Sequence, residues 1–421
     1  MKVLILSQYY WPESFRINDV ATSLRDAGCD VTVLTGQPNY PDGKTFAGYR
    51  AWSVRRETHE RIPIHRVPLA PRGQAGAGQL VVNYLSFLFA ASVIGPWSLR
   101  RQRFDVIFVY GVSPILNAFA ALAIRRSTGG AVVTWVQDLW PQALRVTGHV
   151  RSPRLLSAVE AIVRWLYRHN DLLLVQSQGF VPIVAAMAGS TPVEYHPNPG
   201  EQAFLAPAAE SPALTLPSGF NVVFAGNLGT VQALDTVIAA AALLRDEPSI
   251  RFVLIGSGSQ GDWLKREVTR LGLTNVLMPG RFEPQAMPSI LSQASALLVS
   301  LTQDPALGQT VPSKIQAYLA TGRPVIASLN GEGARVVRQA GAGPVCPAED
   351  AGALAEAIRT LHALPPQERD RLGRAGRDYY LKHFEPGMLA ERLVQRFAAL
   401  VATTHGAAQP ARVNLAESDH G

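Results

Sequence analysis

The chain has 421 residues, 47% of them hydrophobic and 17% charged. It is too long for one core and too apolar for disorder, so two domains of roughly 200 residues are expected, and the unpatterned glycines and prolines exclude collagen-like and coiled-coil forms. The formal charge is +7, from 39 basic and 32 acidic residues, but the cations are scattered; no nucleic acid partner is expected, and an anionic small molecule or a membrane face suits the surplus better.

The opening MKVLILSQYYWP carries an apolar run from Val3 to Leu6, too short for a signal peptide and better read as a buried first strand. Cys29 and Cys346 lie too far apart for a CxxC pair or a zinc knuckle, and two cysteines make no disulfide framework. A cytoplasmic protein is expected. Further strands are read at Val31–Leu34, Ile62–Val67, Val106–Val109, Ala131–Val136, Leu172–Val175 and Val193–Tyr195. Helical spacing runs through Phe15–Ala27, Gln79–Arg101, Ile115–Arg126, Leu155–Arg168 and Phe180–Met187. Such alternation means a parallel sheet covered on both faces.

The passage from His196 to Pro217, with five prolines, can continue neither sheet nor helix and reads as a linker. His196 beside it reads as structural. The pattern then restarts, with strands at Asn221–Ala225, Arg251–Ile255, Asn275–Met278, Ala296–Ser300 and Val325–Ala327. Helices are expected near 232–245, 260–271, 284–293, 313–321, 350–363, 366–382 and 386–403. The fold class is therefore α/β, with two doubly wound Rossmann-like halves whose ligand sits in the cleft at the carboxyl ends of the strands. The expected division is an N-terminal domain over 1–200, a C-terminal domain over 201–385, a helix over 386–403 crossing back to the first domain, and a disordered tail over 404–421.

Five segments could carry chemistry. FAGNLGTVQALDTVI (224–238) places Gly226, Asn227, Leu228 and Gly229 between a strand and a helix, where backbone N–H groups and the helix dipole favour phosphate, though an ordinary strand-to-helix turn would look the same. IGSGSQG (255–261) is out of register for a dinucleotide fingerprint and is weak support for a nicotinamide cofactor. TVPSKIQAYLATGRPVIAS (310–328) starts a helix near Ser313, as cap or first turn, with Lys314 where the dipole disfavours a cation. A negative partner should offset that cation, unless the side chain is merely solvated. VTWVQDLWPQ (133–142) puts Gln137 and Asp138 at a strand end; the carboxylate could orient or deprotonate a hydroxyl, or form a cap or buried ion pair. QYYWPESFRIND (8–19) holds the matching end of the first strand, and its aromatic–polar mix, including Trp11, Glu13 and Asn18, suits a sugar-like ligand or plain packing. DxD, HExxH and GxxxxGK[ST] are absent, which argues against metalloprotease and P-loop chemistry.

Segments 7–43, VQDLWP (136–141), FAGNLG (224–229) and VPSKIQAYLATGRPVIA (311–327) together resemble the GT-B-fold, family 4 nucleotide-sugar glycosyltransferases, which transfer with retention. Within them the chain is similar to colanic-acid-biosynthesis and N-acetylfucosaminyl transferases, which build surface polysaccharide. The resemblance implies a nucleotide-diphosphate sugar as donor, a glycan or lipid-linked acceptor, and no metal or other cofactor. Where the family has paired Glu residues this chain has Gly308 and Gln316, the usual Arg and Lys look like Asn227 and Gln232, and a common His is replaced near Gln137. The implied donor contacts are Gly226 to Gly229, Arg281 and Phe282 for the base, Ser313, Gln316 for the ribose or phosphate, and Lys314 supplying the missing cation. Asp138, with Gln137, Trp11, Glu13 and Asn18, falls on the acceptor side. A GT-B-fold epimerase and a non-catalytic binding protein are the rival readings.

LVVNYLSFLFAASVIGPW (80–97) is the most apolar stretch, followed by Arg100, Arg101 and Arg103. It is too short and too interrupted by Asn83, Ser86, Ser92, Gly95 and Pro96 to span a bilayer comfortably. A core helix or a peripheral contact with the inner face of the membrane is expected.

Overall fold

Runs of Val, Ile and Leu without polar alternation build two sheets in which most strands are buried on both faces. The computed structural model describes residues 1–73, 77–113, 115–146, 152–204 and 212–406. The first sheet comprises β1 (Lys2–Leu6), β2 (Asp30–Thr35), β3 (Arg55–His59), β4 (Ile62–Arg66), β5 (Val106–Gly111), β6 (Ala131–Val136), β7 (Leu172–Val175) and β8 (Val193–Tyr195), in the order β3-β4-β2-β1-β5-β6-β7-β8. All its pairings are parallel except β3 with β4. The second comprises β9 (Phe220–Asn227), β10 (Ile250–Ser257), β11 (Val276–Gly280), β12 (Ala296–Ser300), β13 (Val325–Ser328) and β14 (Val345–Cys346), all parallel, in the order β11-β10-β9-β12-β13-β14. These are the two doubly wound halves expected of the chain.

Strand β3 escaped the apolar pattern because it reads Arg-Arg-Glu-Thr-His. What holds it is charge: Glu57 accepts from the fully buried Arg66 guanidinium of β4. The short β14 and the helix Gly331–Ala340 were also unmarked.

In the first sheet, Val3, Ile5, Val33, Phe108 and Trp135 point to one face, where helices Arg16–Asp26 and Pro386–Gly406 cover them. Leu393 and Phe397 of the last helix sit inside that core, with the Phe397 ring 5.4 Å from Phe108. The alternate residues, among them Leu4, Leu6, Ile107, Val109, Leu173 and Val175, face helices Ala77–Leu99, Asn117–Thr128, Pro153–Arg168 and Phe180–Ala188. The last helix continues through 404–406, residues expected to begin the disordered tail; 407–421 lie outside the described residues, as do 205–211 of the expected linker.

Contacts between the halves come from loops at the carboxyl ends of both sheets. Arg16 donates to Gln316 Oε1 at 3.4 Å, Gln316 Nε2 donates to the Asn198 carbonyl at 2.8 Å, and Ser177 Oγ donates to the Gln309 carbonyl. Buried His196 is neutral here, held down to about 3 by burial and by Arg396, whose guanidinium lies 3.2 Å from Nδ1; it packs the junction as expected.

Candidate functional site

Two parallel strands of the second sheet reach a cavity where their carboxyl ends run out of side chains. β9 ends on Gly226-Asn227 and β10 on Gly256-Ser257. Gly226 has φ +135°, and a Cβ there would lie 2.7 Å from Lys314 Cε; a Cβ at Gly256, φ +141°, would lie 1.8 Å from the Gly226 carbonyl oxygen. The two glycines let the strands close together and leave Lys314 its place. A cavity of about 570 Å³ opens there, walled by Gly226, Asn227, Ser257, Arg281, Phe282, Ser313 and Lys314. Glu201, Phe204, Met287, Ala317 and Tyr318 also line it. Tyr318 is itself pinned to β9, accepting from the Ala225 N–H at 2.8 Å.

Ser313 opens the helix Ser313–Thr321 directly at this cavity, behind Pro312, and no side chain caps the first turn. Ile315 N–H donates to the Pro312 carbonyl at 3.0 Å, the N–H groups of Ser313 and Lys314 come before any helical acceptor, and the positive end of the dipole points at the cavity. Lys314 stands in that turn. Its ammonium donates to Gln232 Oε1 and lies 3.6 Å from the centroid of the Phe224 ring, a cation–π contact. Among the described residues it has no carboxylate partner; removal from water alone holds it well below the usual lysine range, at about 7. A half-buried cation beside a helix N-terminus, with neutral neighbours and an open cavity, is a site for an anion.

Three residues assigned to the donor lie off this wall. Leu228 is buried in the core behind the sheet, its N–H donating to the Ser257 carbonyl. Gly229 packs beside the Asn227 amide, where a Cβ would approach Nδ2 to 2.7 Å. Gln316 is buried towards the other half, donating to the Asn198 carbonyl and accepting from Arg16 at 3.4 Å, and Ala317 is the next residue on the cavity side. The helix expected straight after the glycine turn also begins late. A 3₁₀ turn, Thr230–Gln232, and Ala233 at φ +46° precede Leu234, so the helix N-terminus on the cavity is that of Ser313.

On the other half, Asp138 follows β6. Its Oδ2 accepts from the Ser113 N–H at 2.9 Å and hydroxyl at 2.8 Å, and the Trp140 indole N–H donates to the same hydroxyl at 3.0 Å. Oδ1 has no protein partner among the described residues. Gln137 is buried with Nε2 also unpaired. Asp138 alone of this pair keeps a polar atom to offer, since Gln137 Nε2 is itself buried.

Trp11, Glu13 and Asn18 do not. Trp11 stacks on His59 at 4.1 Å, its N–H donating to Asn18 Oδ1, while Asn18 Nδ2 donates to the Glu13 carbonyl. Glu13 is buried and accepts from the N–H groups of Asn39 and Tyr40, both at 2.7 Å, and of Tyr10 at 3.3 Å; burial pushes its carboxyl up to about 7 against the pull of those bonds. Their work is to tie the loop after β1 to the loop after β2. Glu13→Ala is expected to leave buried N–H groups unpaired and to cost about 2–4 kcal/mol of stability, read from a urea melt. Stability equal to wild type would contradict this role.

The aromatic platform is instead Tyr9, Phe15 and Tyr40. Tyr9 and Phe15 stack at 4.9 Å and 8°, Phe15 and Tyr40 lie 5.1 Å apart, and the Arg72 guanidinium sits 5.2 Å from the Tyr40 ring. The first two were inside the segment singled out in the sequence; Arg72 and Glu201 carried no local signal.

Comparison with known proteins fits this geometry. Residues 14–199 match the family described as Glycosyl transferase 4-like domain, and residues 219–363 match Glycosyl transferases group 1. The chain is 27% identical over 338 residues to "Putative colanic acid biosynthesis glycosyl transferase WcaI" of Escherichia coli K12, covering 76% of this chain and 82% of the relative. It is 24% identical over 284 residues to "Probable glycosyltransferase WbjE" of Pseudomonas aeruginosa, covering 65% and 69%. Among solved structures, sucrose-phosphate synthase of Thermosynechococcus elongatus superposes with a TM-score of 0.72 at 19% identity, over 96% of this chain and 99% of that one. HepE of Anabaena, in complex with UDP, gives 0.67 at 16%, over 95% and 100%. The chain is thus a glycosyltransferase of the GT-B fold, with a Glycosyl transferase 4-like domain in its N-terminal half and a Glycosyl transferases group 1 domain in its C-terminal half.

Proposed function

We propose that the enzyme moves a hexosyl or N-acetylhexosaminyl group, with retention, from a nucleotide-diphosphate sugar to a lipid-linked glycan in surface polysaccharide biosynthesis, at the inner face of the cytoplasmic membrane. The observation that carries the donor reading is Lys314, a desolvated cation without a carboxylate, at a helix N-terminus on the cavity wall. In this reading the diphosphate takes the ammonium from Gln232 and meets the N–H groups of the first helical turn, while Arg281 and Phe282 hold the base. Leaving-group charge is then stabilised by the protein itself, and transfer requires no metal. Asp138 Oδ1 accepts the proton of the acceptor hydroxyl, with the Tyr9, Phe15 and Tyr40 rings beneath the glycan.

Several likenesses support the reading. HepE has been solved with UDP and with UDP-glucose, and trehalose-6-phosphate synthase, of similar fold, is an enzyme of glycosyltransfer with retention. The printed name of WcaI is the support for polysaccharide biosynthesis.

A pH series of donor binding tests the reading. Since the free ammonium titrates near 7, a bound diphosphate must recruit a proton above that pH. Affinity for the nucleotide sugar that gives the largest thermal shift, among UDP-, GDP- and dTDP-sugars, should therefore be nearly constant just below pH 7. It should weaken by up to about tenfold per pH unit between 7 and 9. Lys314→Met should flatten that slope. A slope that persists in Lys314→Met, or no shift with any nucleotide sugar, would overturn the assignment.

A further inference from the structure

The helix Ala77–Leu99 is apolar on its outer side as well as on its core side. Its polar residues face the protein: Asn83, fully buried, accepts from Gln8 Nε2 at 2.7 Å and donates to the Ala70 carbonyl at 2.6 Å, and Ser86 Oγ accepts from the Ala70 N–H. Phe87, Ala90, Ala91 and Leu99 pack into the core, but a second apolar set faces outward. Val81, Leu85, Phe89, Val93 and Trp97 recur every fourth position and are exposed, Phe89 at 71% and Trp97 at 60%. One stripe therefore runs some 24 Å along the helix, at 1.5 Å per residue. Exposed apolar area of this extent on a soluble surface marks an interaction site.

Gly78–Leu99 is long and apolar enough to cross a membrane by composition. It cannot do so in this fold, because Phe87, Ala90 and Ala91 are locked into the core against β1, β5 and the helix Asn117–Thr128. An interfacial seat is the geometry left to it.

Charge identifies the occupant. Exposed Arg100, Arg101 and Arg103 follow the stripe directly, and the Arg100 guanidinium lies over the Trp97 ring at 4.5 Å, an aromatic–cation pair suited to the headgroup zone. Among the described residues no acidic group lies on this helix, and none of the three arginines has a carboxylate partner. On the same sheet face, Leu155, Ile162 and Trp165 are exposed on the next helix but one. We propose that this face docks on a bilayer rich in anionic lipid, with the stripe among the acyl-chain ends and the arginines on the headgroups. Asn83 joins the stripe to Gln8, at the carboxyl end of β1, so the cleft-side end of the helix would rest at the bilayer surface. This extends the lipid-linked acceptor reading, but docking itself requires no turnover.

The test is sedimentation of the full chain with vesicles of phosphatidylglycerol and phosphatidylethanolamine, against vesicles of phosphatidylcholine alone, at low and high salt. The wild-type monomer should partition at least tenfold more strongly to the anionic vesicles, and salt should weaken the binding. The exposed double substitution Phe89→Ser/Val93→Ser should lose at least tenfold in partitioning. A second variant, Arg100→Glu/Arg101→Glu, should lose the preference for anionic lipid, with native circular dichroism as the control for both. Wild-type protein that stays in the supernatant with every vesicle would overturn docking. So would folded variants that bind unchanged, or a dimer in ultracentrifugation that Phe89→Ser/Val93→Ser dissociates, since a second copy would then cover the stripe. None of these results touches donor binding, so the donor reading stands or falls separately.

Discussion

Asp138→Asn is expected to reduce turnover by about 10²–10⁴-fold while donor affinity stays near wild type, the range of a lost proton acceptor, equivalent to about 3–5 kcal/mol of barrier. The structure makes Asn a clean substitution. Asn can keep one oxygen on the Ser113 N–H and hydroxyl, so the loop between β6 and Trp140 should retain its shape. What changes is the unpaired oxygen, which becomes an amide NH₂ and can no longer take a proton. Initial rates and donor Kd measured on one preparation decide the matter. Wild-type turnover would remove Asp138 from the reacting atoms, and a variant that fails to fold would make it a loop anchor alone.

Lys314→Ala should weaken donor binding modestly and turnover by about 10²–10³-fold, or roughly 3–4 kcal/mol. The asymmetry follows from charge: the diphosphate is anionic when it binds, and its charge grows where the sugar departs. Alanine also removes the contact with Phe224 and opens space beside Gly226. Lys314→Met fills most of that volume without the charge and should be as inactive, which separates electrostatics from packing. Arginine should rescue only in part, because the ammonium sits between the Phe224 ring, Gln232 and the Gly226 backbone, where a planar fork has a different approach. Unchanged turnover and affinity in both Ala and Met variants would mean that the cation serves no ligand.

Why the place of Lys314 on the cavity wall was legible in the sequence, while that of Gln316 off it was not, is a matter of helix geometry. Pro312 and Ser313 fix where the helix starts, so the direction of the first turn follows. Two residues further on, each step turns the side chain by about 100°, and without the facing domain nothing says which one meets the cavity. Gln316 turns to Asn198 and Arg16, contacts three hundred residues apart in part, and Ala317 takes the wall. Glu13 failed for a related reason. A carboxylate in a loop looks the same in sequence whether it faces a ligand or three backbone N–H groups, and here the N–H groups of Asn39 and Tyr40 claim it. The parallel strands were legible because burial on both faces leaves an unbroken apolar run, as in β6 and β12, while β3 was hidden by its charges. The apolar helix was legible as a segment, but its exposed stripe was not, since only the fold shows that Asn83 points in and Phe89 out.

The most direct measurement of the donor assignment is a crystal structure of the enzyme with the nucleoside diphosphate that binds it. Diphosphate oxygens are expected at hydrogen-bonding distance, about 3 Å, from Lys314 Nζ and the first-turn N–H groups at Ser313. The base should lie against Arg281 and Phe282, and the ammonium should have turned from Gln232. A diphosphate seated elsewhere, with Lys314 still on Gln232 and the cavity between β9 and β10 unfilled, would contradict it.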